Sequence, residues 1–313
     1  MKKFSQIFFA LAVAMFATTS VAAEKKHHLA KVDYNAPVES EQRISSKELG
    51  KNAQISEDCE DVGNICLLSY VSSDKVVLVA ENRNFAVRTL QIDYFLNNMR
   101  LSMNSEGKNI ILKPGEKKKI ETIFVVDPNY NYTFNYSFTS YFGVIDAIHD
   151  DRYVYDLPFE AGEKRMLWQG VGGKFSHSDE ANYHAYDFKM PIGTPVLAAR
   201  SGTVVDVIDE YKNGGVDQSL KNKMNYVYIQ HKDGTMANYS HIKPGGALVN
   251  IGDEVQKGQK VAFSGNTGYT TNPHLHFGVF KVISGGRYKS VPIKIRTADG
   301  IKDKLKPGEF YSK

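Results

Sequence analysis

The clearest pattern along the chain is an alternation. Tyr130, Tyr132, Phe134, Tyr136 and Phe138 are separated by Asn131, Thr133, Asn135 and Ser137. A period of two puts the rings on one face and the polar residues on the other, which predicts a half-buried strand. Leu90, Ile92 and Tyr94 alternate with Gln91 and Asp93 in the same way. Turn signals such as Lys113-Pro114-Gly115 and Asp127-Pro128-Asn129 cut the region into short strands. Such spacing over 56–158 predicts an immunoglobulin-like β-sandwich. Its tyrosine stripe reads as core rather than as a glycan-binding face. Past a joint at 159–167, strand-like runs recur at 203–208, 225–230, 236–239 and 274–280, punctuated by glycine. No long helical period appears, so the fold class expected is all-β. A second β-domain is expected over 165–298, with the Lys- and Asp-rich stretch 299–313 as an exposed tail.

The ends and the composition add a location. Lys2 and Lys3 precede an apolar run from Ile7 to Phe16, and Ser20-Val21-Ala22 or Val21-Ala22-Ala23 supplies small residues for cleavage. This predicts a signal peptide at 1–23 rather than a membrane anchor, because the apolar centre is short. A flexible lead-in is expected over 24–55, where His27 and His28 sit among charges. No second stretch approaches the ~20 apolar residues of a membrane span, so the expected product is a periplasmic or secreted protein with no membrane span after cleavage. Loss of Lys2 and Lys3 takes two charges from a formal net charge of +4. The remaining charges are interspersed, which argues against nucleic acid as a partner. Cys59 and Cys66 are the two cysteines; in an oxidising compartment they predict a loop-closing disulfide rather than a metal pair.

Candidate chemistry gathers in the second half. His274-Leu275-His276 opens the apolar run HLHFGVF. On a strand, residues two apart share a face, so both imidazoles address one site while Leu275 points away. Such a pair suits two zinc ligands, or one ligand beside one base. His177, Asp187 and His241 lie within one hundred residues of it. His231 reads as a hairpin end, and the turn around Gly265 and Gly268 lacks the lysine and helix of a phosphate loop.

Three blocks in order carry a resemblance: SHSDEANYHAYDFKMPIGTPVLAARSGTV at 176–204, MANYSHI at 236–242, and GDEVQKGQKVAFSGNTGYTTNPHLHFGV at 252–279. Over about 165–295 the chain resembles the lysostaphin-type, or LytM-like, zinc metalloendopeptidases, peptidoglycan hydrolases with a duplicated hybrid motif fold. The resemblance implies an antiparallel β-sheet or barrel peptidase domain holding one zinc. His177, Asp187 and His276 match the family's zinc ligands, His274 its general base, and His241 the second catalytic histidine, which assists the oxygen of the attacked carbonyl. One departure stands out: many members place the first histidine four residues before the aspartate. Here His177 is ten before Asp187 and His184 three before it. Positions three apart on a strand face opposite ways, so His177 is favoured over His184. The function implied is hydrolysis of peptide bonds in peptidoglycan stem peptides or crosslinks, with peptidoglycan as partner and wall-enzyme regulators as further candidates. A non-enzymatic activator of cell-wall amidases is disfavoured by the intact histidines and aspartate. A secreted protease of Gly-rich proteins remains an alternative.

Overall fold

The computed structural model describes residues 54–60 and 64–313. The expected signal peptide, His27 and His28, and all of the lead-in but Gln54 and Ile55 lie outside the described residues. Gln54 and Ile55 already belong to a strand.

Two antiparallel sheets form the first region. One runs in the order Gln54–Glu60, Ile65–Val71, Lys75–Asn82, Lys117–Val125, Met99–Leu101, and the other in the order Ile110–Leu112, Arg88–Asn97, Thr133–Phe142. A single core joins them: Ile65, Leu78 and Ile123 from the first sheet meet Leu90, Ile92 and Leu112 from the second. Phe134, Tyr136 and Phe138 pack against this core from one face of Thr133–Phe142, while Thr133, Asn135 and Ser137 face solvent. The alternation therefore builds a half-buried strand, and the stripe is core from Tyr132 to Phe138; Tyr130 precedes the strand in a turn and is 71% exposed. Cys59 and Cys66 sit opposite each other on the first two strands and form a disulfide.

The second region is a larger sheet. Its order is Glu254–Val255, Gly202–Ile208, Tyr226–Gln230, Met236–Ser240, His274–Ile283, Tyr186–Lys189, Arg165–Gln169, Phe310–Tyr311, with Arg287–Ser290 paired to the far end of His274–Ile283. The core beneath it includes Phe188, Val227, Tyr239, Leu275 and Phe277. The chain is thus all-β; among the described residues the only helical piece is the 3-10 turn Gln218–Leu220. No helix among them is long and apolar enough to cross a membrane.

Two boundaries differ from the sequence expectation. Val154–Asp156 pairs in parallel with Lys294–Thr297, and Tyr155, Leu157 and Phe159 are wholly buried in the second core. What reads as the end of the sandwich and a joint is therefore part of the second core. The stretch 299–313 is likewise no exposed tail. Gly300–Lys302 pairs with Lys294–Thr297, Phe310–Tyr311 pairs with Arg165 and Met166, and Leu305 and Tyr311 are buried. Two apolar side chains anchor a segment whose charges merely coat its surface.

The two regions share a third apolar cluster of Ala86, Ile145, Met236, Phe280 and Val282. The Val87 N–H donates to Gln230 Oε1 at 2.9 Å, and Ile145 bridges to Val282. Val282 lies eight residues beyond His274 on one strand, roughly 26 Å at ~3.3 Å per residue. The sandwich thus leans on the opposite end of the strand from the histidine pair.

Candidate active site

Register brings the site together. Asp187 on Tyr186–Lys189 lies directly opposite His276 on the neighbouring strand, and Ser240 flanks His276 on the other side. Directly opposed residues share a face, so Asp187 and His276 meet without any loop. His276 Nδ1 is 2.9 Å from Asp187 Oδ1. His274 shares that face two residues earlier, its Nε2 3.9 Å from the same oxygen. Leu275 between them is fully buried in the core, as the period of two requires.

His177 arrives from a loop. Its N–H donates to the Gly173 carbonyl at 3.0 Å, and its ring Nδ1–H donates to the Gly170 carbonyl at 3.0 Å. A carbonyl only accepts, so Nδ1 carries the proton and Nε2 is left bare. That Nε2 lies 3.1 Å from Asp187 Oδ1 and 3.2 Å from His276 Nδ1. His184 is not brought to the centre: its N–H donates to Ser290 Oγ and its ring packs edge-on against Tyr183.

Electrostatics follow from this burial. Burial alone would raise Asp187, but the close His177 and His276 rings hold its carboxyl well below the usual range. Burial pulls His177 down, and the Asp187 carboxylate beside it outweighs that and leaves it raised. Burial lowers His274. His241 falls to about 3, through burial and then the neighbouring His274 and His276, so it is neutral. His241 also has a left-handed backbone, φ 62°. A non-glycine residue held there is strained, and such strain persists where the surroundings impose it, commonly at functional sites.

His177 Nε2, Asp187 Oδ1 and His276 Nδ1 all lie within 4.8 Å of one another. A bare imidazole nitrogen aimed at a carboxylate is stable only with a cation between them, whether a proton or a metal. Tetrahedral zinc, with bonds of about 2.0–2.2 Å, places its ligand atoms about 3.4 Å apart. The observed separations of 2.9, 3.1 and 3.2 Å are slightly tighter than that, so the donor set and spacing fit such an ion.

A groove of about 880 Å³ opens over Asp187, His276 and His274, lined by residues between Trp168 and Pro307. Sequence reasoning missed several of its members. Trp168 meets the His274 ring edge-on at 5.8 Å, Phe175 stacks on Tyr269 at 5.7 Å, and Gln169 donates to Asp187 Oδ2 at 2.9 Å. Trp168, Gln169 and Phe175 fall outside the three blocks, and Tyr269 sits in the third with no role read for it; the one further signal was the lone tryptophan.

Fold and site define a β-sheet domain built round a buried His–Asp–His group able to hold a metal ion. Residues 181–291 match peptidase family M23, and the chain carries a domain of that family. The match contains Asp187, His241, His274 and His276, while His177 falls just before it. An uncharacterized metalloprotease of Buchnera aphidicola is 38% identical over 111 residues, covering 34% of this chain and 26% of that protein. Peptidoglycan DD-endopeptidase ShyA of Vibrio cholerae is 35% identical over 133 residues, 42% of this chain and 27% of that one. The chain therefore spans about a quarter of the length of these relatives. The catalytic domain of lysostaphin from Staphylococcus simulans aligns with 28% identity over 41% of this chain and 87% of that domain, with a TM-score of 0.30.

Proposed function

We propose that the chain is an exported zinc-dependent endopeptidase that hydrolyses peptide bonds in peptidoglycan stem peptides or crosslinks. The observation that carries this reading is the convergence of His177, Asp187 and His276, with Asp187, His276 and the neighbouring His274 lining a groove and His177 buried behind them. Two neutral imidazoles and one carboxylate would hold Zn2+ with a position left open. Zinc held there would acidify a water and polarise the scissile carbonyl.

The remaining work falls to side chains. His274 Nδ1–H donates to the Asn272 carbonyl at 2.7 Å, which leaves Nε2 free to take the proton of the attacking water and return it to the leaving amine. His241 is built alike, with Nδ1–H donating to the Thr267 carbonyl at 2.6 Å. A neutral ring so fixed offers a lone pair, so His241 assists the developing oxyanion only once protonated. The His241 and His274 ring centroids are 4.5 Å apart, so both rings face the same part of the groove. Trp168 and the Phe175–Tyr269 stack wall the groove and bind the peptide.

ShyA, a peptidoglycan DD-endopeptidase, supports peptidoglycan as the substrate. An intact ligand set argues against a non-enzymatic amidase activator. The sandwich reads as an immunoglobulin-like scaffold. It is not proposed as a cover, since the groove is lined by residues between Trp168 and Pro307. The test is metal content and digestion of purified peptidoglycan. Wild type is expected to carry about one zinc and release new amine ends, and His276→Ala to lose both. His274→Ala should keep zinc but lose at least a hundredfold in rate. Wild-type protein free of zinc and inert on peptidoglycan would sink the proposal.

A further inference from the structure

Gln169 ends the strand Arg165–Gln169, beside Tyr186–Lys189. Leu167 pairs with Phe188 and Gln169 with Asp187, so the three residues 167–169 span two positions of the partner strand. This is a β-bulge, with Trp168 as the extra residue. In a regular strand Leu167 and Gln169 would share a face, and Leu167 is core. The bulge reverses Gln169 toward the site and leaves Trp168 against His274.

Gln169 then spends its hydrogen-bonding capacity in three directions. Nε2 donates to Asp187 Oδ2 at 2.9 Å and to Ser176 Oγ at 2.7 Å, while Oε1 accepts the Phe175 N–H at 3.0 Å. One amide thereby ties the carboxylate on the sheet to the loop that delivers His177. Space is reserved for it: a Cβ on Gly173 would lie 2.2 Å from Gln169 Cγ and 2.6 Å from its Cδ. Asp187 divides accordingly, Oδ1 facing the two histidines and Oδ2 engaged by Gln169.

We propose that Gln169 is a positioning residue that holds Asp187 to one-oxygen coordination and fixes the His177 loop at the correct distance from it. The inference rests on the zinc reading of His177, Asp187 and His276 and goes beyond it by assigning control of ligand geometry to a residue outside the ligand set. Glutamine suits the task because a neutral donor engages Oδ2 without bringing a charge that competes for the metal. Outer hydrogen bonds of this kind commonly govern metal affinity by 10- to 100-fold.

The test replaces Gln169 by Met, similar in length but without donors. Zinc affinity is measured by chelator competition, and the visible spectrum is recorded with Co2+ in place of zinc. Gln169→Met is expected to bind zinc about 10- to 100-fold more weakly. Its cobalt absorption should weaken and shift toward a five-coordinate form, because the freed Oδ2 can join the metal. Gly173→Ala, which pushes the glutamine out from behind, should move both readouts the same way and serves if the first variant does not fold. Wild-type zinc affinity and an unchanged cobalt spectrum in either folded variant would overturn the proposal alone. Wild type that binds neither metal would overturn the zinc reading and this inference with it.

Discussion

Two strands of ten residues, Thr133–Phe142 and His274–Ile283, obey the same period of two and reach opposite outcomes. In the first, aromatic positions pack on the sandwich core and the polar ones between them stay exposed over residues 133–137. In the second, residues 274–280 are buried on both faces. Leu275, Phe277 and Val279 enter the core, while His274 and His276 lie only 6% and 7% exposed. Burying polar rings costs free energy unless each finds a partner. A polar face that stays in water is ordinary sheet architecture, whereas one kept polar under cover needs Asp187, the Asn272 carbonyl and a cation to make it tolerable. The contrast, not the alternation itself, marks the site.

Three changes would sharpen or break that contrast. The largest concerns the core that the second strand shares. A chain beginning at Glu160 loses Tyr155, Leu157 and Phe159, each worth about 1.5–3 kcal/mol when fully buried, against a typical total stability of about 5–15 kcal/mol. Such a chain should show no cooperative thermal transition by circular dichroism, and a melt like that of the parent would remove Val154–Asp156 from the peptidase core. Next, Leu275→Ala should cost about 2–5 kcal/mol in urea unfolding with chelator present, so that metal binding does not enter. A cost below 1 kcal/mol would mean the inner face is not packed as described. Smallest, Ser137→Ala on the wet face of the first strand should change stability by no more than about 0.5 kcal/mol. A larger loss would show that face to be covered.

Much of this was legible in the residues. Period two placed Phe134, Tyr136 and Phe138 on a core and His274 and His276 on one face, because a strand's side-chain directions are local. The preference for His177 over His184 also came from local geometry. What sequence hid was non-local or irregular. Val154–Asp156 owes its place to a partner at Lys294–Thr297, which no nearby residue announces. Leu305 and Tyr311 sit in a charged stretch and were outweighed by their neighbours. Gln169 was invisible because the Trp168 bulge breaks the very periodicity by which faces are assigned.

The pairing of Val154–Asp156 with Lys294–Thr297, and of Arg165 and Met166 with Phe310–Tyr311, also bears on the order in which the chain can fold. The sandwich closes on contacts from within 54–142, so it can fold early. The peptidase core must instead wait until residues 294–311 have been delivered, and contacts of such long sequence separation slow folding. A nascent chain would therefore carry a folded front region and an open second core until the strands at 294–311 arrive. The sheet that carries Asp187 and His276 is, on this arrangement, completed only after residues 294–311 have been made.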